Sequence, residues 1–138
     1  MPELPLTGGC MCGGVRFEID RPLVQASWCH CSRCRRRTGT GASVQGWIEP
    51  GALRVVQGEE LIRSYRFEEG WAKVFCRECG SSLWSEDPSG SGRKAVRFGA
   101  FDADPGIEPS YHQFVDYAPS WAPVPDDGLP RYPERKPA

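Results

Sequence analysis

Long apolar runs are missing from this chain. No stretch approaches the roughly 20 consecutive apolar residues that a membrane-spanning helix needs, so no membrane partner is expected. The segment Met1 to Gly9 also lacks the apolar run of a secretory leader, and the expected compartment is the cytoplasm. A surplus of charge is missing too. Seventeen Lys and Arg against eighteen Asp and Glu leave a net charge of −1, which gives no global pull toward nucleic acid. Apolar residues make up only 39%, and no stretch longer than about ten residues keeps a clear helical period.

Turn formers are abundant instead, with 16 Gly and 13 Pro in 138 residues. That balance favours a loop-rich β protein held by something besides packing. The length suits one domain over residues 1–138, with a proline-rich tail from about residue 119. Strand-like alternation appears at Val15–Ile19, Leu53–Val56, Leu61–Phe67, Ala72–Phe75, Ser81–Trp84 and Ala95–Phe98. One short helix is expected from Ser32 to Thr38, stopped by Gly39. The tail is expected to run extended, anchored by Trp121 and Leu129 and frayed from Glu134 onward.

The seven cysteines carry the most information. Seven is an odd number, which a complete disulfide set cannot use, and a reducing compartment disfavours disulfides in any case. They fall in three clusters: Cys10 and Cys12; Cys29, Cys31 and Cys34; Cys76 and Cys79. Cys76-Arg77-Glu78-Cys79-Gly80 is a zinc-knuckle pattern, with a glycine free to take positive φ so that backbone N–H groups face the sulfurs. The i, i+2 spacing of Cys10 and Cys12 would put both side chains on one face of an extended segment. Each pair supplies half of a Cys₄ site, so Cys10, Cys12, Cys76 and Cys79 are paired as a structural zinc site.

Cys29, Cys31 and Cys34 remain. Three protein thiolates with an open position is how a zinc site that does chemistry is built, and such a site suits an incoming thiol. Arg33, Arg35, Arg36 and Arg37 follow directly, and can offset the site's negative charge and attract an anionic ligand. The bland reading of that run is a solvated basic turn. His30 lies between two ligands and should point away from the metal, unless it closes the site as a fourth ligand. His112 reads as a core or surface histidine before a catalytic base, and the five tryptophans as core aromatics. Three functional classes stay open: a thiol-handling enzyme, a zinc-stabilised binding module without chemistry, and a metal or redox sensor.

Gly9-Cys10-Met11-Cys12-Gly13-Gly14-Val15, Cys29-His30-Cys31-Ser32-Arg33-Cys34-Arg35-Arg36-Arg37-Thr38-Gly39 and Phe75-Cys76-Arg77-Glu78-Cys79-Gly80-Ser81 resemble the three blocks of the glutathione-dependent formaldehyde-activating enzyme family. Tyr111-His112-Gln113-Phe114-Val115, Ala118-Pro119-Ser120-Trp121 and Asp127-Gly128-Leu129-Pro130 fit its tail. The resemblance implies an all-β fold, Mss4-like, with zinc-stabilised antiparallel sheets and short helical turns. It implies a structural zinc at Cys10, Cys12, Cys76 and Cys79 and a catalytic zinc at Cys29, Cys31 and Cys34. The implied activity is that of a carbon–sulfur lyase acting in reverse. It joins formaldehyde to a small anionic thiol, glutathione, to give S-hydroxymethylglutathione.

Overall fold

A computed structural model describes residues 2–137. Ten strands follow in order: β1 (Leu6–Gly9), β2 (Arg16–Ile19), β3 (Gln25–Cys29), β4 (Ser43–Ile48), β5 (Leu53–Gln57), β6 (Ile62–Tyr65), β7 (Ala72–Cys76), β8 (Ser82–Glu86), β9 (Lys94–Arg97) and β10 (His112–Gln113). The single α-helix among the described residues, α1 (Ser32–Thr38), lies between β3 and β4. The fold is all-β, as the alternation and turn content predicted. The helix has the expected bounds. It stops because Gly39 takes φ 71° and returns its N–H to the Arg35 carbonyl.

Three strands form one sheet in the order β1-β2-β5, and seven form another in the order β10-β3-β4-β9-β8-β7-β6. Every pairing is antiparallel except that of β10 with β3. The sheets meet across a core of Val15, Phe17, Ile19, Leu23, Ile48, Val74, Leu83, Trp84 and Val96. Phe17 of β2 stands edge-on to Trp84 of β8, ring centres 5.8 Å apart. Gly8 is required at this closure, because a Cβ there would collide with the Ala100 carbonyl oxygen and the Phe17 ring. No helix is long and apolar enough to cross a membrane among the described residues.

The large sheet has a second face, and strand alternation sorts side chains between the two. Val74, Trp84 and Val96 enter the core. Lys73, Ser85 and Arg97, their immediate neighbours in sequence, line an open cleft on the other side. Register brings Gln45 opposite Arg97 and Lys73 opposite Ser85.

The tail departs from expectation. Of the two expected anchors, Trp121 is 67% exposed and Leu129 is half-buried. Backbone bonds do the anchoring instead: His112 N–H to the Pro130 carbonyl, Tyr132 N–H to the His112 carbonyl, and Phe114 N–H to the Glu134 carbonyl. Glu134 to Lys136 are tied down too, since the Lys136 N–H donates to Gln113 Oε1 at 3.2 Å. Tyr132 packs edge-on against Tyr111. The segment follows β10 because its carbonyls and amides complete that strand's free edge, a signal that side-chain composition does not carry.

Asp102 fastens the small sheet from outside. It accepts from Thr7 Oγ1 at 2.7 Å and from Arg16 Nη1 at 3.0 Å. The Arg16 guanidinium, then the Thr7 hydroxyl, hold its carboxyl below the usual range. A carboxyl depressed in the folded state adds stability that is present above the unfolded value of about 3.9 and is lost as pH falls through the folded value. Asp102→Asn is expected to lose about 1 kcal/mol or less at neutral pH, because the pair is largely solvated. Urea melts of parent and variant should begin to draw together below about pH 3.9 and coincide only beneath the lower, folded value.

Candidate metal and thiol centre

Two groups of sulfurs converge. Cys10 and Cys12 follow β1 in a tight turn closed by the Gly13 N–H to the Cys10 carbonyl, and not in the extended segment expected from their spacing. Cys76 ends β7, and Cys79 follows in a turn where Gly80 takes φ 75° and donates its N–H to the Cys76 carbonyl. The four sulfurs lie within 4.8 Å of one another. Cys10 Sγ is 3.5 Å from Cys12 Sγ, and Cys12 Sγ is 3.9 Å from Cys76 Sγ. These separations exceed the roughly 2.05 Å of a disulfide, and all seven cysteines are free thiols.

Backbone amides face this group as a knuckle requires. Val15 N–H donates to Cys10 Sγ at 3.2 Å and Glu78 N–H to Cys76 Sγ at 3.4 Å. Ser81 Oγ, 3.2 Å from Cys79 Sγ, leads in drawing that thiol down to about 5. Cys10 and Cys76 are buried within the core, and none of the four cysteines touches the cleft.

Cys29, Cys31 and Cys34 form the second group, again with sulfurs within 4.8 Å. Cys29 is the last residue of β3, Cys31 caps α1 and Cys34 sits in its first turn. Cys31 Sγ accepts the Cys34 N–H at 3.3 Å. Hydrogen bonds from the Cys29 and Cys34 thiols pull Cys31 down to about 2. The same sharing, led by Cys31, drives Cys29 strongly upward. One thiolate forms readily there while its neighbour resists, because crowded negative charge needs a cation to neutralise it. Soft sulfur donors in sets of four and three suit zinc, and both groups could hold a metal ion.

The three-cysteine group opens onto the cleft, which has a volume of about 1180 Å³. Cations line it, but few come from the arginine run. Only Arg33 of the four reaches the cleft, and its guanidinium lies 4.5 Å from the Phe67 ring centre. Arg35 donates to the Tyr117 carbonyl, Arg36 is exposed, and Arg37 turns inward to the Val74 carbonyl. Lys73, Arg93, Arg97, Arg135 and Lys136 supply the remaining positive charge, against the carboxylates of Glu49, Glu69 and Asp87. These cations come from β7, the loop before β9, β9 itself and the tail. No local sequence pattern joins them; only the sheet register and the tail's path do. Trp47 and Trp71 stand edge-on at 5.2 Å in the same wall, with Arg93 over both rings.

His30 does turn away from the sulfurs. Its Nε2 lies 2.9 Å from His112 Nδ1, and His112 Nε2 lies 2.8 Å from Asp127 Oδ2. Both histidines are buried, and neither joins a sulfur group. The Asp127 carboxylate selects the Nε2–H tautomer of His112, whose Nδ1 then accepts from His30 Nε2. His112 is a core histidine that links Asp127 of the tail to His30, between Cys29 and Cys31.

The sequence profile of the family described as glutathione-dependent formaldehyde-activating enzyme matches residues 5–117. The chain belongs to this family. A relative from Halomonas elongata that carries the family's name is 30% identical over 126 residues, covering 86% of this chain and 80% of that protein. A second, from Sordaria macrospora, is 26% identical over 90 residues, covering 61% of this chain and 38% of the longer fungal protein. A crystal structure of a Rhodobacter sphaeroides protein superposes with a TM-score of 0.59 at 26% identity, over 92% of this chain and 99% of that one. Family membership thus extends over both cysteine groups and most of the cleft wall.

Proposed function

We propose that this family member is a zinc-dependent enzyme of the carbon–sulfur lyase type, joining glutathione or a related anionic thiol to formaldehyde. The observation that carries the reading is the placement of Cys29, Cys31 and Cys34 in the wall of a cleft whose cations outnumber its carboxylates. Cys10, Cys12, Cys76 and Cys79, away from that cleft, are assigned a structural zinc. A zinc ion at the three-cysteine group would lower the pKa of an incoming thiol and stabilise it as thiolate.

The residues of the chain do the rest. Glutathione carries two carboxylates, and Arg33, Arg93, Arg135 and Lys136 of the cleft are matched to them in charge. Trp47, Trp71 and Tyr111 offer apolar wall to the peptide backbone and exclude water from the thiol end. The thiolate sulfur adds to the aldehyde carbon, forming the S–C bond. The C=O π pair moves to oxygen, which takes a proton from solvent. A cytoplasmic setting, where thiols stay reduced and glutathione is abundant, suits this chemistry.

Calorimetry with glutathione, combined with exchange NMR of adduct formation from formaldehyde, tests the reading. Saturable thiol binding and a rate above the spontaneous reaction are expected. Absence of both would leave a zinc-stabilised binding module.

A further inference from the structure

Two cations of the cleft wall, Lys73 and Arg97, are paired with no carboxylate among the described residues. Arg97, only 8% exposed, donates through Nη1 to Gln45 Oε1 at 2.8 Å and through Nη2 to Ser85 Oγ at 2.9 Å, while its buried Nε has no partner. Lys73 Nζ reaches the same Ser85 Oγ at 3.4 Å. Arg37 lies nearby with its Nε also unpartnered, and burial, then the charge of Arg97, pulls it down to about 10. None of the three forms an ion pair among the described residues.

A buried cation without a counter-charge is strongly unfavourable, and hydrogen bonds to Gln and Ser do not supply one. Glu49, Glu69 and Asp87 also line the cleft, but none of them pairs with Lys73 or Arg97, whose negative neighbours are the three cysteines. Three thiolates would just match Arg37, Lys73 and Arg97. Once a divalent ion is held there the group carries only −1, and the cations are in excess. Lys73 and Arg97 line the open cleft, so that excess is presented to whatever enters.

The guanidinium is also held still. Gln45 Oε1 accepts from Ser43 Oγ as well as from Arg97, and Gln45 Nε2 donates to Ser27 Oγ at 3.2 Å. A buried polar network tied to three strands fixes the direction in which Arg97 points. Preorganised donors of this kind act most strongly where charge develops during a reaction.

We propose that Lys73 and Arg97 form an oxyanion site beside the three thiols. Resting on the thiol–aldehyde reading above, it receives the aldehyde oxygen as the π pair moves onto it. The aldehyde oxygen is neutral before addition and anionic after it, so the two cations favour the transition state over the bound substrate. Solvent then protonates the alkoxide, and both side chains keep their own protons.

Formate, a one-carbon anion, is the probe for the site, titrated into zinc-loaded protein and followed by amide NMR. Saturable shifts at the cleft floor are expected in the parent, retained in Lys73→Arg and lost in Lys73→Met. In the adduct-formation assay Lys73→Met should lower kcat about 100-fold, with the glutathione dissociation constant and melting temperature unchanged and the rate recovered in Lys73→Arg. Formate shifts absent from the parent, or equal in parent and Lys73→Met, overturn the proposal, as does an unaltered kcat. A parent that binds formate through Lys73 yet has no rate above the spontaneous reaction keeps the anion site and refutes the thiol–aldehyde reading alone.

Discussion

Cys79→Ser yields a chain without a cooperative thermal transition, whereas Cys31→Ser melts within a few degrees of the parent. The two substitutions change the same atom type, and topology separates their effects. Cys10 and Cys12 leave the edge of the three-stranded sheet, while Cys76 and Cys79 form the turn between β7 and β8 of the seven-stranded one. An ion at this group would clamp sheet to sheet between residues 64 apart in sequence, Cys12 and Cys76. Structural zinc contributes about 10–16 kcal/mol in small peptides, and whole domains are stable by only about 5–15 kcal/mol. Losing the clamp therefore removes a quantity as large as the entire stability. Cys79 is the informative position because it is only half-buried; serine there leaves no core cavity, so the loss isolates coordination. Circular dichroism melts of both variants check the prediction, and a strong chelator added to the parent should reproduce the Cys79→Ser curve. Equal destabilisation by Cys79→Ser and Cys31→Ser would show that the ligands are wrongly divided.

The sequence revealed the cysteine groups because metal ligands cluster locally, and their spacing alone sorts seven residues into four and three. Strands with one apolar face were equally legible. Leu61–Phe67 and Ala72–Phe75 contain β6 and nearly all of β7. β3 and β4 gave no such signal. Gln-Ala-Ser-Trp-Cys and Ser-Val-Gln-Gly-Trp-Ile put Ser27, Ser43 and Gln45 in buried positions, so the expected apolar alternation is absent. These two strands carry the polar network under Arg97, and its buried polar side chains displace the pattern by which strands are recognised. The arginine run contributes only Arg33 to the cleft. Adjacent helical residues point in different directions, so four neighbouring charges could not all face one cleft. The cations that do face it are brought together by register and by a tail whose attachment is backbone hydrogen bonding.

Cys31→Ser should then abolish thiol binding and reduce adduct formation to the spontaneous rate while the protein stays folded. Serine is a favourable N-cap residue, and its hydroxyl can accept the Cys34 N–H that Cys31 Sγ accepts at 3.3 Å. The start of α1 thus survives the change, and Cys31 lies outside the hydrophobic core. What is lost is the thiol that ionises most readily of its group, held down by Cys29 and Cys34. Two remaining cysteines, one of them pushed strongly upward, are a poor donor set for a soft cation. Metal-ion charge stabilisation amounts to several kcal/mol, and at about 1.4 kcal/mol per tenfold that is a rate loss of about 10³. Metal analysis should find one ion fewer per chain than in the parent. Cobalt-substituted parent should change its thiolate charge-transfer band when glutathione is added, and cobalt-substituted Cys31→Ser should not. A variant that keeps a glutathione-responsive band would move the thiol site elsewhere, and the cations of the cleft floor would then have to be matched to a different partner.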